Sequence, residues 1–163
     1  MNYHTGKLRK MASVYLRKGD NLLLLYRQGA SIVSNMWIGS AGGHFENDEL
    51  NDARACMLRE LKEELQINEE SLHNISLRYI TLRYTDGEIR HNYYFFADLS
   101  DDVIHLPESC EGKTQWFNME ELSSIVMPFT ARFVIDHYLT TGQFNDALYG
   151  GIADQHQVHF HKL

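Results

Sequence analysis

Glu60, Glu63 and Glu64 stand in the run Arg59-Glu-Leu-Lys-Glu-Glu-Leu65, spaced so that a helix brings all three carboxylates to one side. At about 100° per residue, positions three and four apart share a face. Like charges at that spacing repel by roughly 0.2–0.5 kcal/mol per exposed pair, so the pattern gains nothing as helix design. A bound divalent cation reverses the sign. Met57, Leu58, Leu61 and Leu65 form a separate apolar stripe that suits packing on a sheet, leaving the acids on the adjacent flank. Upstream, a glycine loop at Gly42-Gly43 and two more acids, Glu46 and Glu49, lead into the helix. Hard oxygen donors in this number suit Mg²⁺ or Mn²⁺, which keep positions for water and phosphate oxygens. A merely solvated acidic face is the plainer account of a Glu-rich helix, and it is the context that argues against it.

The elements that must position these acids are legible. Met11–Leu16 and Leu22–Tyr26 read as strands joined by turn residues at 17–21. Residues 28–49 are rich in Gly, Ser and Asn and read mainly as loop, with a short apolar piece at Trp37-Ile38. From Asn51 to Gln66 there is no Gly or Pro, and Asn51 or Asp52 can cap the helix. Ile75–Tyr84 and Arg90–Leu99 are aromatic and β-branched, joined at Asp86-Gly87-Glu88 as a hairpin. Gln115–Phe117 reads as a short strand and Thr130–Leu139 as a second helix, with Phe133, Val134, His137 and Tyr138 on one side. The alternation at Val158–His161 suggests an edge strand or hairpin. This order predicts an α/β fold, an α/β/α sandwich around a mixed β-sheet.

Composition limits the function. A length of 163 residues predicts one domain spanning 1–163. The formal charge of -7 argues against duplex nucleic acid and anionic membrane as partners. No run approaches the roughly 20 apolar residues that cross a bilayer. Two cysteines, Cys56 and Cys110, and a start without an apolar signal region predict a cytoplasmic protein. His156, His159 and His161 read as strand alternation rather than a metal site, and Cys56 as packing.

The stretch Gly43-His-Phe-Glu-Asn-Asp-Glu49, followed by Arg59-Glu-Leu-Lys-Glu-Glu-Leu-Gln-Ile67, resembles the Nudix box, G-x5-E-x7-R-E-U-x-E-E-x-G-U with U aliphatic. Gly43, Glu49, Arg59, Glu60, Leu61, Glu63, Glu64 and Ile67 match it. Two departures stand out. Two extra residues separate Glu49 from Arg59, and Gln66 replaces the glycine that ends the helix. A non-glycine residue in the left-handed conformation there costs on the order of 1 kcal/mol.

The resemblance implies a Mg²⁺-dependent hydrolase, with Mn²⁺ as a substitute, that cleaves the diphosphate of a small nucleotide. It implies Glu60, Glu63, Glu64, Glu49 and the Gly43 carbonyl as metal ligands, Glu63 or Glu64 as base, and Arg59 as the partner of a neighbouring glutamate. Glu111, in a loop before Trp116, is the candidate for a further catalytic acid. Trp116 and Asn35 resemble substrate-binding positions of the branch that cleaves oxidised purine nucleoside triphosphates, such as 8-oxo-dGTP to monophosphate and pyrophosphate, and His44, adjacent to Gly43, is placed to touch phosphate. The alternatives are an NDP-sugar or ADP-ribose pyrophosphatase, an RNA 5′-pyrophosphohydrolase, and a non-catalytic nucleotide-binding regulator. The tail strand and the aromatic sheet could also support a homodimer.

Overall fold

The computed structural model describes residues 6–29, 35–109 and 111–163. Cys110 and the serines at 31 and 34 of the glycine-rich loop lie outside them. Nine strands form one mixed sheet: β1 (Lys7–Lys18), β2 (Asn21–Arg27), β3 (Met36–Ile38), β4 (Ala41–His44), β5 (Leu72–Thr85), β6 (Glu88–Leu99), β7 (Gly112–Asn118), β8 (Tyr149–Ala153) and β9 (Val158–Lys162). The main path runs β3-β2-β1-β6-β5-β8-β9, with β4 paired to β1 and β7 to β2. β1 with β6 and β5 with β8 are parallel, and the other pairs are antiparallel. α1 (Ala53–Leu65) and α2 (Phe129–Thr140) complete the framework.

Strand side chains alternate between faces, and the two faces collect different cores. Ala12, Val14, Leu16, Phe95 and Ala97 pack with Met57, Leu61 and Leu65 of α1. Tyr15, Tyr79, Tyr94 and Phe96 pack with Val134, Ile135 and Tyr138 of α2. The expected α/β/α layering follows from these two clusters. Phe96 and Tyr138 stack with ring centroids 3.9 Å apart, anchoring α2 to the middle of the sheet. The face of α2 is rotated from the expectation, since Thr130, Ala131, Val134, Ile135 and Tyr138 are its buried residues.

Two local differences bear on the site. Gly42-Gly43 belong to a strand rather than a loop, with Gly42 opposite Ser13 and Gly43 opposite Ala12. A Cβ at Gly42 would run into the Ala12 carbonyl and Ser13, so glycine is what lets β4 pair this closely. α1 starts at Ala53, capped by Asp52, whose side chain accepts the Ala55 N–H at 2.9 Å. Residues 50–58 join the 3-10 turn Asn47–Glu49 to Arg59, and Arg59 to Glu64 keep one continuous helical register within α1. At the far end Gln66 takes the left-handed conformation, φ 55° and ψ 28°, and its N–H bonds to the Lys62 carbonyl at 3.0 Å.

Candidate active site

α1 lies along β4 and β1, and the acids of its exposed flank meet the strand that carries the glycines. Arg59 is the hub. Its Nε and Nη2 donate to the two oxygens of Glu49 at 2.6 and 3.0 Å, a bidentate pair. Its Nη1 donates to Glu60 at 2.7 Å and to Glu63 at 3.2 Å, and Nη2 also reaches the His44 carbonyl at 2.9 Å. Glu49 is only 6% exposed and also accepts the Glu46 N–H. The Arg59 guanidinium holds its carboxyl down at about 2, with burial opposing. The same contacts push Arg59 further up, so it stays charged. The geometry therefore engages Glu49 with Arg59 and places Glu60 and Glu64 against the glycine strand.

Glu64 is the electrostatic anomaly of the molecule. Burial pushes its carboxyl up to about 7; the Gly42 N–H, donating at 3.2 Å, works against this, while the charges of Glu60 and Glu111 add to it and Arg27 opposes. Glu60 is raised as well, first by burial, with Arg59 opposing and Glu63 adding. Burying carboxylates beside one another is unfavourable unless a cation joins them. Gly43 supplies a second sign. A Cβ there would fall on the carboxylate of Glu60, so this side chain uses space that only glycine leaves open. Acids pressed together with oxygen donors, a nearby backbone carbonyl and a glycine cradle are a donor set that fits Mg²⁺. In the described residues, however, Glu60 and Glu63 lean on Arg59, and no group of three acidic, histidine or cysteine side chains is drawn onto one point.

Glu111, distant in sequence, comes to this end of the site. Arg27 Nη2 contacts it at 3.3 Å, and its charge is among those acting on Glu64. Cys56 is buried beneath the strand, its thiol pushed up to about 12 by burial and by the Glu49 charge, which makes it inert packing.

A cavity of about 370 Å³ opens from Gly42 between the sheet and the start of α2. Arg9, Arg27, Arg83, Arg90, Asn92 and Phe129 are among its walls, and no acid lines it. Trp116, Asn35 and His44 are not among the walls of this cavity. Trp116 packs against the α1-side core. Asn35 is an exposed turn residue with φ 59°, its N–H bonded to the Arg27 carbonyl at 2.8 Å. His44 sits next to the site with its ring 2.9 Å from Arg9, and burial and that arginine lower its pKa. The cavity-lining arginines were not anticipated. Their signal was present: Arg9, Met11, Ser13 and Tyr15 alternate along one strand, and Arg90, Asn92 and Tyr94 along another, which puts polar residues on a face whose continuation is core.

A model of the NUDIX domain matches residues 7–138. The chain belongs to the NUDIX family, whose class of reaction is hydrolysis of phosphoric anhydrides in small-molecule nucleotides. Its fold is shared with a MutT protein from Bacillus halodurans, at 19% identity and TM-score 0.62 over 94% of this chain and 97% of that one. It is also similar to a MutT protein from Methanosarcina mazei, at 17% and 0.70 over 85% and 98%. An Ap4A hydrolase from C. elegans matches at 19% and 0.62 over 84% and 99%. No curated protein sequence matches the chain. Among the described residues, no helix is long and apolar enough to cross a membrane.

Proposed function

We propose that the protein is a Mg²⁺-dependent pyrophosphohydrolase acting on a nucleoside-diphosphate-linked substrate, with Mn²⁺ as a substitute ion. The observation that carries this reading is Glu64, a half-buried carboxyl that accepts the Gly42 N–H at 3.2 Å and is raised to about 7 by that burial and by the charges of Glu60 and Glu111. Glu60, Glu63 and Glu64 would hold the ion, with the Gly43 carbonyl alongside. When bound, the ion offsets the charge of a polyphosphate and activates water for attack at phosphorus. Arg59 keeps Glu60 and Glu63 in place and is itself fixed by Glu49, which ties the 3-10 turn to the helix. Glu63, held by Arg59 at 3.2 Å with a side chain 58% exposed, would take a proton from the attacking water. Glu111 contributes through Arg27, which reaches both it and the cavity.

The finer reading is a damaged purine nucleoside triphosphate such as 8-oxo-dGTP, cut to monophosphate and pyrophosphate. NDP-sugars, ADP-ribose and RNA 5′ ends are the other substrates to set beside it. The test is turnover with Mg²⁺ of 8-oxo-dGTP, ordinary dNTPs, an NDP-sugar, ADP-ribose, a dinucleoside polyphosphate and 5′-triphosphate RNA. Hydrolysis of one or more, lost on chelation, is the expected result. No turnover of any, with nucleotide binding retained, would leave a non-catalytic nucleotide-binding module instead.

A further inference from the structure

The arginines of the cavity are ordered by strand register. Arg9 of β1 is the parallel partner of Arg90 of β6, and Arg90 is the antiparallel partner of Arg83 of β5. The three therefore form one row across neighbouring strands, on the face that two and four residues further along carries Asn92 and Tyr94. With strands about 4.8 Å apart, the row is about 10 Å wide. Ser13, four residues beyond Arg9 on β1, faces Gly42, whose N–H holds Glu64. At about 3.3 Å per residue, the row lies about 13 Å along the strand from the acidic end.

The row has a surplus of positive charge. Glu88 serves both Arg9, at 3.4 Å, and Arg90, at 3.3 Å. Asp86, 3.7 Å from Arg90, has a side chain 82% exposed and belongs to the hairpin turn outside. Arg83 has no carboxylate partner among the described residues; its guanidinium lies over the Phe129 ring, 4.1 Å from the centroid. That stacking fixes the fork without neutralising it. Asn92 lies on the next rung, and its side-chain oxygen has no partner among the described residues, which leaves a hydrogen-bonding position between the row and the acidic end.

We infer that the substrate carries a second phosphate, beyond the diphosphate that is cut, and that the row of Arg9, Arg90 and Arg83 receives it. This rests on the pyrophosphohydrolase reading of the acidic end. Planar guanidinium forks match phosphate oxygens two at a time, and three forks with one shared carboxylate leave charge for a dianion. A neutral base or sugar would leave that charge unmatched. At that distance the second phosphate is an ester on the far moiety of the substrate, since the terminal phosphate of a triphosphate, one link past the cut diphosphate, falls short of the row.

Matched pairs that differ by one ester phosphate test the inference: NADP against NAD, and ADP-ribose 2′-phosphate against ADP-ribose. With Mg²⁺, kcat/KM is expected to favour the more phosphorylated member of at least one pair by about tenfold or more. That ratio should fall close to one in Arg83→Gln and be partly kept in Arg83→Lys; Arg90→Gln provides a second variant, and comparing ratios within each variant cancels any loss of folded protein. Ratios near one in every pair, or a ratio that Arg83→Gln and Arg90→Gln leave unchanged, overturn the inference. Calorimetric titration of the same pairs separates the two readings. Preferential binding without turnover would sink the hydrolysis reading and keep the second-phosphate site, whereas turnover without preference would do the reverse.

Discussion

The acidic end of the site and its arginine end are built in opposite ways. At the acidic end one arginine, Arg59, serves Glu49, Glu60 and Glu63, and the acids left over are pressed together at Glu64. At the other end one acid, Glu88, serves two arginines, and the arginine left over is stacked on Phe129. Each end is charged beyond its internal pairing, with opposite sign. A site left half-compensated in this way is ready for a ligand of the missing charge: a cation at one end and an anion at the other. The ends also differ in rigidity of origin, since the first is held by one helix and one strand and the second by side chains from three strands and a helix.

The largest effect should come from emptying the acidic end. Glu63→Gln is expected to lower kcat on every substrate by on the order of 10²-fold or more while leaving the melting temperature nearly unchanged, since its side chain is mostly exposed. Unchanged turnover would move the chemistry elsewhere. Arg59→Met should be the costliest substitution for stability, about 3–5 kcal/mol in urea denaturation, because it strands the buried carboxylate of Glu49. The same pair predicts acid behaviour. Glu49 is depressed from its ordinary 4.5 to about 2, so its stabilisation is fully present above the ordinary value and is lost as pH falls through about 2. Denaturation midpoints measured across that window should slope for the wild type and flatten for Glu49→Gln.

The arginine end should respond in selection rather than rate. Glu88→Gln frees Arg9 and Arg90, and by the worth of partly exposed ion pairs it should tighten binding of the more phosphorylated pair member by roughly 2–5-fold. Weaker binding would mean that Glu88 orients the row instead of competing with its ligand. The smallest effect belongs to neither end. Gln66→Gly, at φ 55°, should stabilise the protein by about 1 kcal/mol without altering kinetics at either end.

The acidic end was largely legible in the chain because its residues are close in sequence and its helix obeys a short-range period. Arg59 to Glu64 needed only the 3.6-residue repeat, and the left-handed Gln66 followed from the missing glycine. The partition of roles was less legible: nothing in spacing tells that Arg59 claims both oxygens of Glu49, because that pairing depends on how the turn at Asn47–Glu49 docks on the helix. Gly42-Gly43 looked like loop, and only pairing with β1 made them a strand.

The walls of the cavity were not legible in the chain for a related reason. Trp116 and Asn35 have suitable chemistry, but the pleat turns Trp116 to the α1 face and the turn carries Asn35 outward. A one-residue difference in strand phase decides which face a side chain joins, and sequence alone does not say which face holds the cavity.

By itself, then, the sequence determined the alternation of strands and helices and the acid-bearing helix, which follow from periodicities within about twenty residues, and the resemblance of that short stretch to a family motif implied the class of chemistry. The tertiary structure alone decided that Arg9, Arg90 and Arg83 stand in one row and that Glu111 and Arg27 approach Glu64. Arg83 and Arg90 meet across one hairpin, but Arg9, Glu111 and Arg27 are tens of residues from the groups they join, and only strand order and register, set by burying both faces of the sheet at once, bring them together.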